Sequence, residues 1–140
     1  MFIEDDQLID IKIHFRKYGH IYEAFTEQEY KELKLTPDDE KKYSAVCFSM
    51  KVLDWGTYNT LQESAVVEDV LTKERKFNYK LYKEARLKTL IKQWDAKDKE
   101  NKPVPINMQT ISKLAPSIGE AILRAYDEES FLTKDEEKNS

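Results

Sequence analysis

The sequence is poor in the residues on which many cofactor sites depend. Its 140 residues include one cysteine and three glycines. The lone Cys47 cannot form an intramolecular disulfide, which favours a reducing, cytosolic setting. The glycines, Gly19, Gly56 and Gly119, are too scattered for a phosphate-binding loop or a dinucleotide fingerprint. We therefore predict no cofactor.

Metal binding and catalysis also lack the residues they need. A zinc site would have to use His14 and His20, whose spacing does not match one helix face and which no cysteine pair accompanies. Cys47 lies in an apolar run, Ala45–Phe48, where buried cysteine is common, and no histidine context suggests a nucleophile. No pair of carboxylates stands out as an acid and a base. We predict a non-enzymatic protein with no catalytic or metal-binding residues.

Membrane and nucleic-acid partners are disfavoured as well. No apolar stretch approaches the length of a membrane span, and the acidic residues Glu4–Asp6 are unlike a signal peptide. The net charge of -4 opposes sequence-independent binding of nucleic acid. Lysine and arginine concentrate between Lys73 and Lys92, and the end of the chain is acidic. Such charge runs are usually solvated helix faces.

The residues that are present can build one compact domain. The chain is 40% hydrophobic and 36% charged, with two Trp, eight Tyr and six Phe. This length and composition predict a single globular domain over residues 1–132. Residues 133–140 are polar and charged, and we expect a disordered acidic tail there.

Two segments alternate between apolar and polar residues. They span Leu8–Arg16 and Ala45–Leu53, and we expect them to pair as antiparallel strands. In the first segment, His14 belongs to the solvent-facing set. Between them, Tyr22–Leu35 reads as a helix that contains a capping box from Thr26 to Glu29. Further helix starts are expected at Thr36, Asp54, Asn107 and Pro116.

A long helix is predicted from Phe77 to a stop at Trp94-Asp95. Leu87, Leu90, Ile91 and Trp94 recur at helical spacing and share one face, with Tyr79 on the same side. The predicted fold is α+β and mainly helical, with a small two-stranded antiparallel N-terminal sheet packed on about four helices. The candidate partner-binding residues are Tyr79, Leu90, Trp94 and Trp55. The core is the alternative place for both tryptophans.

Several short motifs follow one another between Phe48 and Tyr126. They comprise Leu53, Trp55, Gly56 and Tyr58; Trp94 and Asp95; Lys102, Pro103, Val104 and Pro105; and Leu114, Pro116, Ile118 and Ile122. Their order and spacing resemble the small tail assembly chaperones of tailed bacteriophages. In that family a strand enters a Leu-x-Trp-Gly-like helix start, and a later helix ends near Trp. A polar turn then leads through Lys-Pro-hydrophobic-Pro to a final helix pair.

The resemblance implies a non-enzymatic role in virion morphogenesis in the host cell cytoplasm. Chaperones of this kind bind and solubilise the helical tape measure protein until tail tube subunits polymerise around it. The implied partner is the tape measure protein, with the tail tube protein as a second candidate. An amphipathic groove suits an apolar helical client of this kind. A homo-oligomer is also compatible with the sequence.

Two other classes of function stay open at this point. A virion structural component of the baseplate, hub or neck would remain in purified particles, where mass spectrometry would detect it in stoichiometric amount. A small regulator that binds DNA through the basic segment Lys73–Lys92 would show steeply salt-dependent binding. The acidic residues Glu74, Glu84 and Asp95 within or next to this segment count against the regulator.

Overall fold

The computed structural model describes the backbone of residues 1–138 and the side chains of residues 1–130. The predicted disordered tail at 133–140 lies outside the fully described residues and stays a prediction. The strands and helices follow in the order β1 (Leu8–Tyr18), β2 (Ile21–Thr26), α1 (Glu27–Glu32), α2 (Pro37–Glu40), β3 (Ser44–Lys51), α3 (Trp55–Ser64), β4 (Val66–Glu68), β5 (Arg75–Phe77), α4 (Tyr79–Leu90), β6 (Ile91–Trp94), α5 (Met108–Ser112) and α6 (Pro116–Lys138).

A four-stranded antiparallel sheet in the order β2-β1-β3-β6 forms the centre of the fold. β1 pairs with β3 from Leu8 opposite Lys51 to Phe15 opposite Ser44, so the predicted antiparallel pairing is confirmed. β1 also pairs with β2 through a tight turn in which Gly19 has a φ of +56°. Glycine takes this left-handed conformation without steric cost.

The predicted two-stranded sheet on a helical bundle is wrong. The structure has a four-stranded sheet and six helices within the described residues. Residues 22–26, predicted as the first part of a helix, belong to β2 because they complete a hairpin with β1. The long helix also ends early. Ile91 turns to an extended conformation (φ -70°, ψ 119°), and residues 91–94 pair with β3 as strand β6.

The core lies between one face of the sheet and helices α4 and α6. Alternate sheet residues point into it, among them Ile11, Ile13, Val46, Phe48 and Met50. From α6, Ile118, Ile122, Ala125 and Tyr126 form a buried stripe against the sheet. The Tyr126 hydroxyl donates a hydrogen bond to the Lys51 carbonyl oxygen at 2.9 Å, which ties α6 to the end of β3.

The outer face of the sheet is partly covered by α1. Tyr30 stacks on His14 with ring centroids 3.8 Å apart and nearly parallel planes, and His14 Nε2 lies 2.8 Å from Glu27 Oε2. The expected solvent-facing position of His14 is therefore wrong, because α1 folds back over the strand and buries the imidazole.

The start of α1 is fixed by the predicted capping box. Thr26 Oγ1 accepts a hydrogen bond from the Glu29 amide at 3.2 Å, and Glu29 Oε1 accepts one from the Thr26 amide at 2.9 Å. Arg124 of α6 donates two hydrogen bonds to the same Glu29 carboxylate. The cap thus joins β2, α1 and α6.

Thr26→Ala is expected to lower the free energy of unfolding by about 1–2 kcal/mol, the upper part of the range for a lost N-cap. Thr26 is fully buried, so its loss also leaves space in the interior. Thr36→Ala is the matched control, since Thr36 caps the short, exposed α2. Urea denaturation of both variants compares the caps, and equal losses would contradict a special role for Thr26.

Candidate partner-binding surface

A short β-hairpin joins α3 to α4. β4 and β5 pair from Val66 opposite Phe77 to Glu68 opposite Arg75, and we call residues 66–77 the arm. The loop at its tip is ordered by Asp69, whose Oδ1 accepts hydrogen bonds from the amides of Leu71 and Thr72 at 2.8 and 3.1 Å. The arm therefore has a defined tip.

Two aliphatic side chains at this tip are not covered by any other described part of the chain. Val70 is 90% exposed and Leu71 is 93% exposed. Every residue from Val67 to Leu81 is exposed. A two-stranded hairpin of this length has little stability of its own in water. The arm thus holds apolar side chains in solvent on an element that a binding partner would stabilise.

A cleft with four tyrosines in its wall opens beside the base of the arm. Its volume is about 580 Å³, and its walls come from α3, α4, α6 and the end of β3. We call it the aromatic cleft, and its wall residues include Leu53, Tyr58, Tyr79, Tyr82 and Tyr126. Arg86, Asp127 and Glu129 also line it, so the cleft combines apolar walls with a few charged groups, as ligand sites of this volume commonly do.

Trp55 extends this surface beyond the cleft. Asp54 caps α3 by accepting a hydrogen bond from the Thr57 amide at 2.7 Å, which places Trp55 at the first helical position. The indole is 77% exposed and stacks on Tyr58, with ring centroids 6.0 Å apart. An indole this exposed next to an aromatic cleft is typical of an interaction site.

A buried arginine supports the wall of the cleft. Arg86 is only 6% exposed and lies between the rings of Tyr82 and Tyr126, at 5.5 and 5.7 Å from their centroids. It forms an ion pair with Asp127, while its Nε has no hydrogen-bond partner among the described residues. Stacking on both sides fixes the two rings with respect to each other, so the cleft is preorganised.

The structure separates the four predicted partner-binding residues into two pairs. Trp55 and Tyr79 lie on the exposed surface, and Tyr79 is 60% exposed. Leu90 is fully buried in the core and cannot contact a partner. Trp94 is half-buried, and its Nε1 donates a hydrogen bond to the Val104 carbonyl oxygen at 2.7 Å. Its ring also packs edge-on against Phe48, so its contacts are structural.

The reason for this separation is the early end of α4. A helix through Trp94 would have kept Tyr79, Leu90 and Trp94 on one side. Because residues 91–94 are strand β6, Leu90 and Trp94 pack with the sheet instead.

Sequence reasoning missed the arm entirely. Residues 66–71 have no helical or alternating period, because β4 is only three residues long before the loop begins. The one available signal was a pair of adjacent aliphatic residues, Val70 and Leu71, among charged neighbours. Such a pair does not reveal a hairpin without knowledge of the pairing between β4 and β5.

Lys73 and Arg75 flank the arm's aliphatic tip, and neither makes an ion pair with the described residues. Lys76 lies 3.9 Å from Glu74, and both of these side chains are largely exposed. Solvent-exposed pairs of this kind contribute little stability. The tip is therefore apolar, and the charges around it balance, since Glu68, Asp69 and Glu74 offset Lys73, Arg75 and Lys76.

Cys47 and the metal-ligating side chains of the described residues do not form an alternative functional site. Cys47 is exposed on the outer face of the sheet, so its expected burial is wrong, and partial desolvation together with the Asp95 carboxylate raises the pKa of its thiol. Among the described residues, His, Cys, Asp and Glu form no group of three that could hold a metal ion. No helix in that part of the chain has the length and apolar character to cross a membrane.

Comparisons of the chain with models of protein families, with curated proteins and with solved structures found no match. The exposed surface around Trp55, Tyr79 and the arm is therefore the main guide to function.

Proposed function

We propose that the protein is a non-enzymatic assembly chaperone that binds an apolar helical segment of a larger partner. One observation carries this proposal: Trp55, Tyr58 and Tyr79 form an exposed aromatic surface around a preorganised cleft. Soluble proteins rarely expose large contiguous apolar patches unless the patch binds something.

The shape and chemistry of the surface suit an amphipathic helix. Apolar side chains at spacings of three and four residues along a partner helix would contact the cleft and the Trp55 indole in turn. Aromatic side chains lose little conformational entropy on binding because they have few rotatable bonds. The surrounding surface is rich in charge, with 36% charged residues in the chain, and would keep the complex in solution.

The resemblance to tail assembly chaperones supplies the identity of the partner in this proposal. The client would be a phage tape measure protein, whose long helices expose apolar stripes before the tail tube forms. Binding would occur in the host cell cytoplasm and would have to be reversible, so that tail tube subunits can replace the chaperone. A surface with a few aromatic anchors fits reversible binding because few residues carry most of the energy.

The test is capture of a co-expressed tape measure protein by tagged variants of the chain. Trp55→Ala and Tyr79→Ala are each expected to weaken binding by about 1–2 kcal/mol, because each removes an exposed aromatic contact. Their free energies of unfolding should stay within about 0.5–1 kcal/mol of the wild-type value, since both side chains are largely outside the core.

Ile21→Ala is the matched control for this experiment. Ile21 is 71% exposed and lies at the start of β2, apart from the residues of the aromatic cleft. It should capture the client as the wild type does. If the wild type retains no tape measure protein, or if both aromatic variants retain it fully, the proposed function is wrong.

A further inference from the structure

The long strand β1 is only partly paired on the side of β2. Its pairing with β3 runs from Leu8 to Phe15, but its pairing with β2 begins only at Ile13, opposite Thr26. At Thr26 the chain leaves the sheet and enters α1. Residues 8–12 of β1 therefore lie at an edge of the sheet, and we call them the open edge.

The backbone of the open edge directs hydrogen-bonding groups away from β3. The Gln7 carbonyl oxygen accepts a hydrogen bond from the Val52 amide at 3.2 Å, which continues the register of β1 with β3. Successive residues of an antiparallel strand bond alternately to its two sides, so the odd-numbered residues of β1 bond to β3. The amides and carbonyls of Leu8, Asp10 and Lys12 face the other side, where no strand of the described chain pairs with them.

A groove with a volume of about 410 Å³ runs along this edge, and we call it the edge groove. Its floor is formed by residues 10–12 of β1. One wall comes from α1, which covers the outer face of the sheet, and the other from α6, which covers the core face. Neighbouring strands lie about 4.8 Å apart, so a groove bounded on both faces of an edge has the form of a slot for one added strand.

The two walls favour a single extended chain over the sheet edge of a second copy. A second copy would bring the same two helical walls, which would meet before the two edges came within hydrogen-bonding distance. Antiparallel pairing of two open edges about a twofold axis would also place Asp10 opposite Asp10. Like charges directly opposite each other destabilise a strand pair.

The outer wall of the edge groove has balanced charges. Glu27 of α1 lies in contact with His14, and that contact lowers the pKa of the Glu27 carboxyl. The nearby charges of Lys12 and Lys31 lower this pKa further. A ligand therefore meets no large excess of either charge on this side.

The core-side wall carries two carboxylates without a matching cation. The groove residues of α6 are Ala125, Glu128 and Glu129, and neither glutamate forms an ion pair with the described residues. Arg124, one turn before Glu128, donates its hydrogen bonds to Glu29 instead. Partial burial raises the pKa of the Glu128 carboxyl, which shows that its negative charge is not fully compensated.

We propose that the edge groove binds an extended segment of a protein partner as an added β-strand, antiparallel to β1, with a lysine or arginine directed at Glu128 and Glu129. The segment takes the place that β2 would occupy if it continued beyond Thr26. The side chain opposite Ile11 points to the core face, where its aliphatic stem packs against Ile11 and Ala125 while its charged end reaches the carboxylates. Main-chain hydrogen bonds supply affinity, and the alternate side chains supply specificity.

This site differs from the aromatic cleft in what it recognises. The edge groove binds through backbone groups of β1, whereas the cleft presents side chains to an apolar helix. Glu129 lines both. The inference does not rest on the proposed function, and its test uses no tape measure protein.

The probe is a fluorescein-labelled, end-capped peptide with the sequence Thr-Lys-Thr-Val-Thr. In the antiparallel register its lysine lies opposite Ile11 and its threonines lie opposite Leu8, Asp10 and Lys12. Fluorescence anisotropy with the full-length chain should give a dissociation constant of about 10–500 µM, as expected of a small contact. Replacement of the peptide lysine by glutamate should weaken binding at least about fivefold. Glu129→Lys in the chain should restore binding of the glutamate peptide.

Two N-methylated peptides provide a matched pair that tests the backbone bonds. N-methylation of the threonines removes the donors that face β1, and it should weaken binding at least about tenfold. N-methylation of the lysine and valine alters amides that face away from β1, and it should leave the dissociation constant within about threefold. Both peptides carry the same side chains, so only an added strand distinguishes them.

Amide hydrogen exchange locates the bound peptide on the chain. The amides of Leu8, Asp10 and Lys12 should exchange rapidly in the free protein and become protected by saturating peptide. The amides of Ile9 and Ile11 already bond to β3, so the peptide should change their exchange much less. This alternation along five consecutive residues is specific to strand addition.

Several results would overturn the proposal. Absence of binding at about 1 mM peptide rejects it, and so does equal weakening by the two N-methylation patterns. Protection of other amides while the open edge stays unprotected rejects the location. Protection of the open edge without peptide, together with a dimer in sedimentation velocity, assigns the edge to a second copy instead. None of these results alters the capture of a tape measure protein, which is measured separately.

Discussion

Replacement of Leu90 by alanine is expected to lower the free energy of unfolding by about 2–5 kcal/mol. Leu90 is the last residue of α4 and is fully buried in the main hydrophobic cluster, where α4 gives way to β6. The smaller side chain would lose the transfer energy of the removed carbons and leave a cavity. A loss of this size is a large part of the stability of an ordinary domain.

Leu81→Ala provides the comparison within the same helix. Leu81 lies near the start of α4 and is 40% exposed, so its truncation should cost about 1 kcal/mol or less. Urea denaturation of both variants gives their free energies of unfolding. If the slope of that free energy against urea concentration is unchanged, the two values compare the contributions of the two ends of α4 to stability. Equal small losses for both variants would mean that the end of α4 does not belong to the core.

Replacement of Trp94 by alanine is expected to cost about 3 kcal/mol, the lower end of the range for a large aromatic side chain, because the indole is half-buried at the margin of the core. The indole packs edge-on against Phe48, and its N–H donates to the Val104 carbonyl oxygen. The substitution would remove the packing and leave that carbonyl without its partner. Chemical denaturation measures the loss directly.

Trp94→Phe separates packing from the hydrogen bond. It keeps an aromatic ring against Phe48 and removes the donor, so a loss of about 1–3 kcal/mol is expected. The folded Trp94→Phe protein should capture a client as well as the wild type does. Loss of capture by this folded variant would return Trp94 to the partner-binding surface, where its helical spacing first suggested it.

Local signals in the sequence predicted the starts of several elements correctly. Thr26, Thr36, Asp54 and Asn107 each cap a helix in the structure, as their positions predicted. A capping residue acts through hydrogen bonds to amides two or three residues away, so its effect is readable without knowledge of the fold. The strong alternation in β1 and β3 is readable for the same reason.

Strands whose formation depends on pairing with another segment could not be predicted from local sequence signals. β6 has only four residues, Ile91–Trp94, and its apolar ends fit a helical period as well as a strand. Its pairing with β3 joins segments far apart in the chain, and that pairing decides the structure. β2 was missed because residues 22–26 were assigned to a helix that in fact begins at Glu27, five residues after its predicted start.

The candidate site shows the same division between local and distant information. An aromatic residue packs equally well in a core or at an interface, so Trp55 and Trp94 could not be told apart by type. Trp55 follows a cap and lies at a helix start, which leaves it exposed. Trp94 lies opposite Phe48 in the pairing of β3 and β6, which places its indole against the core.

The adjacency of β3 and β6 has a consequence for how the molecule can evolve. The chain leaves the sheet after Lys51 and returns to it at Ile91, where β6 pairs with β3. The arm therefore lies in a long connection whose two ends are held together by this strand pairing. Doubling the length of a flexible loop costs only about 0.6 kcal/mol in closure entropy. Residues 66–77 can therefore be lengthened, shortened or exchanged as a cassette while the strand register stays unchanged. Binding specificity can diverge between relatives faster than the scaffold that carries it.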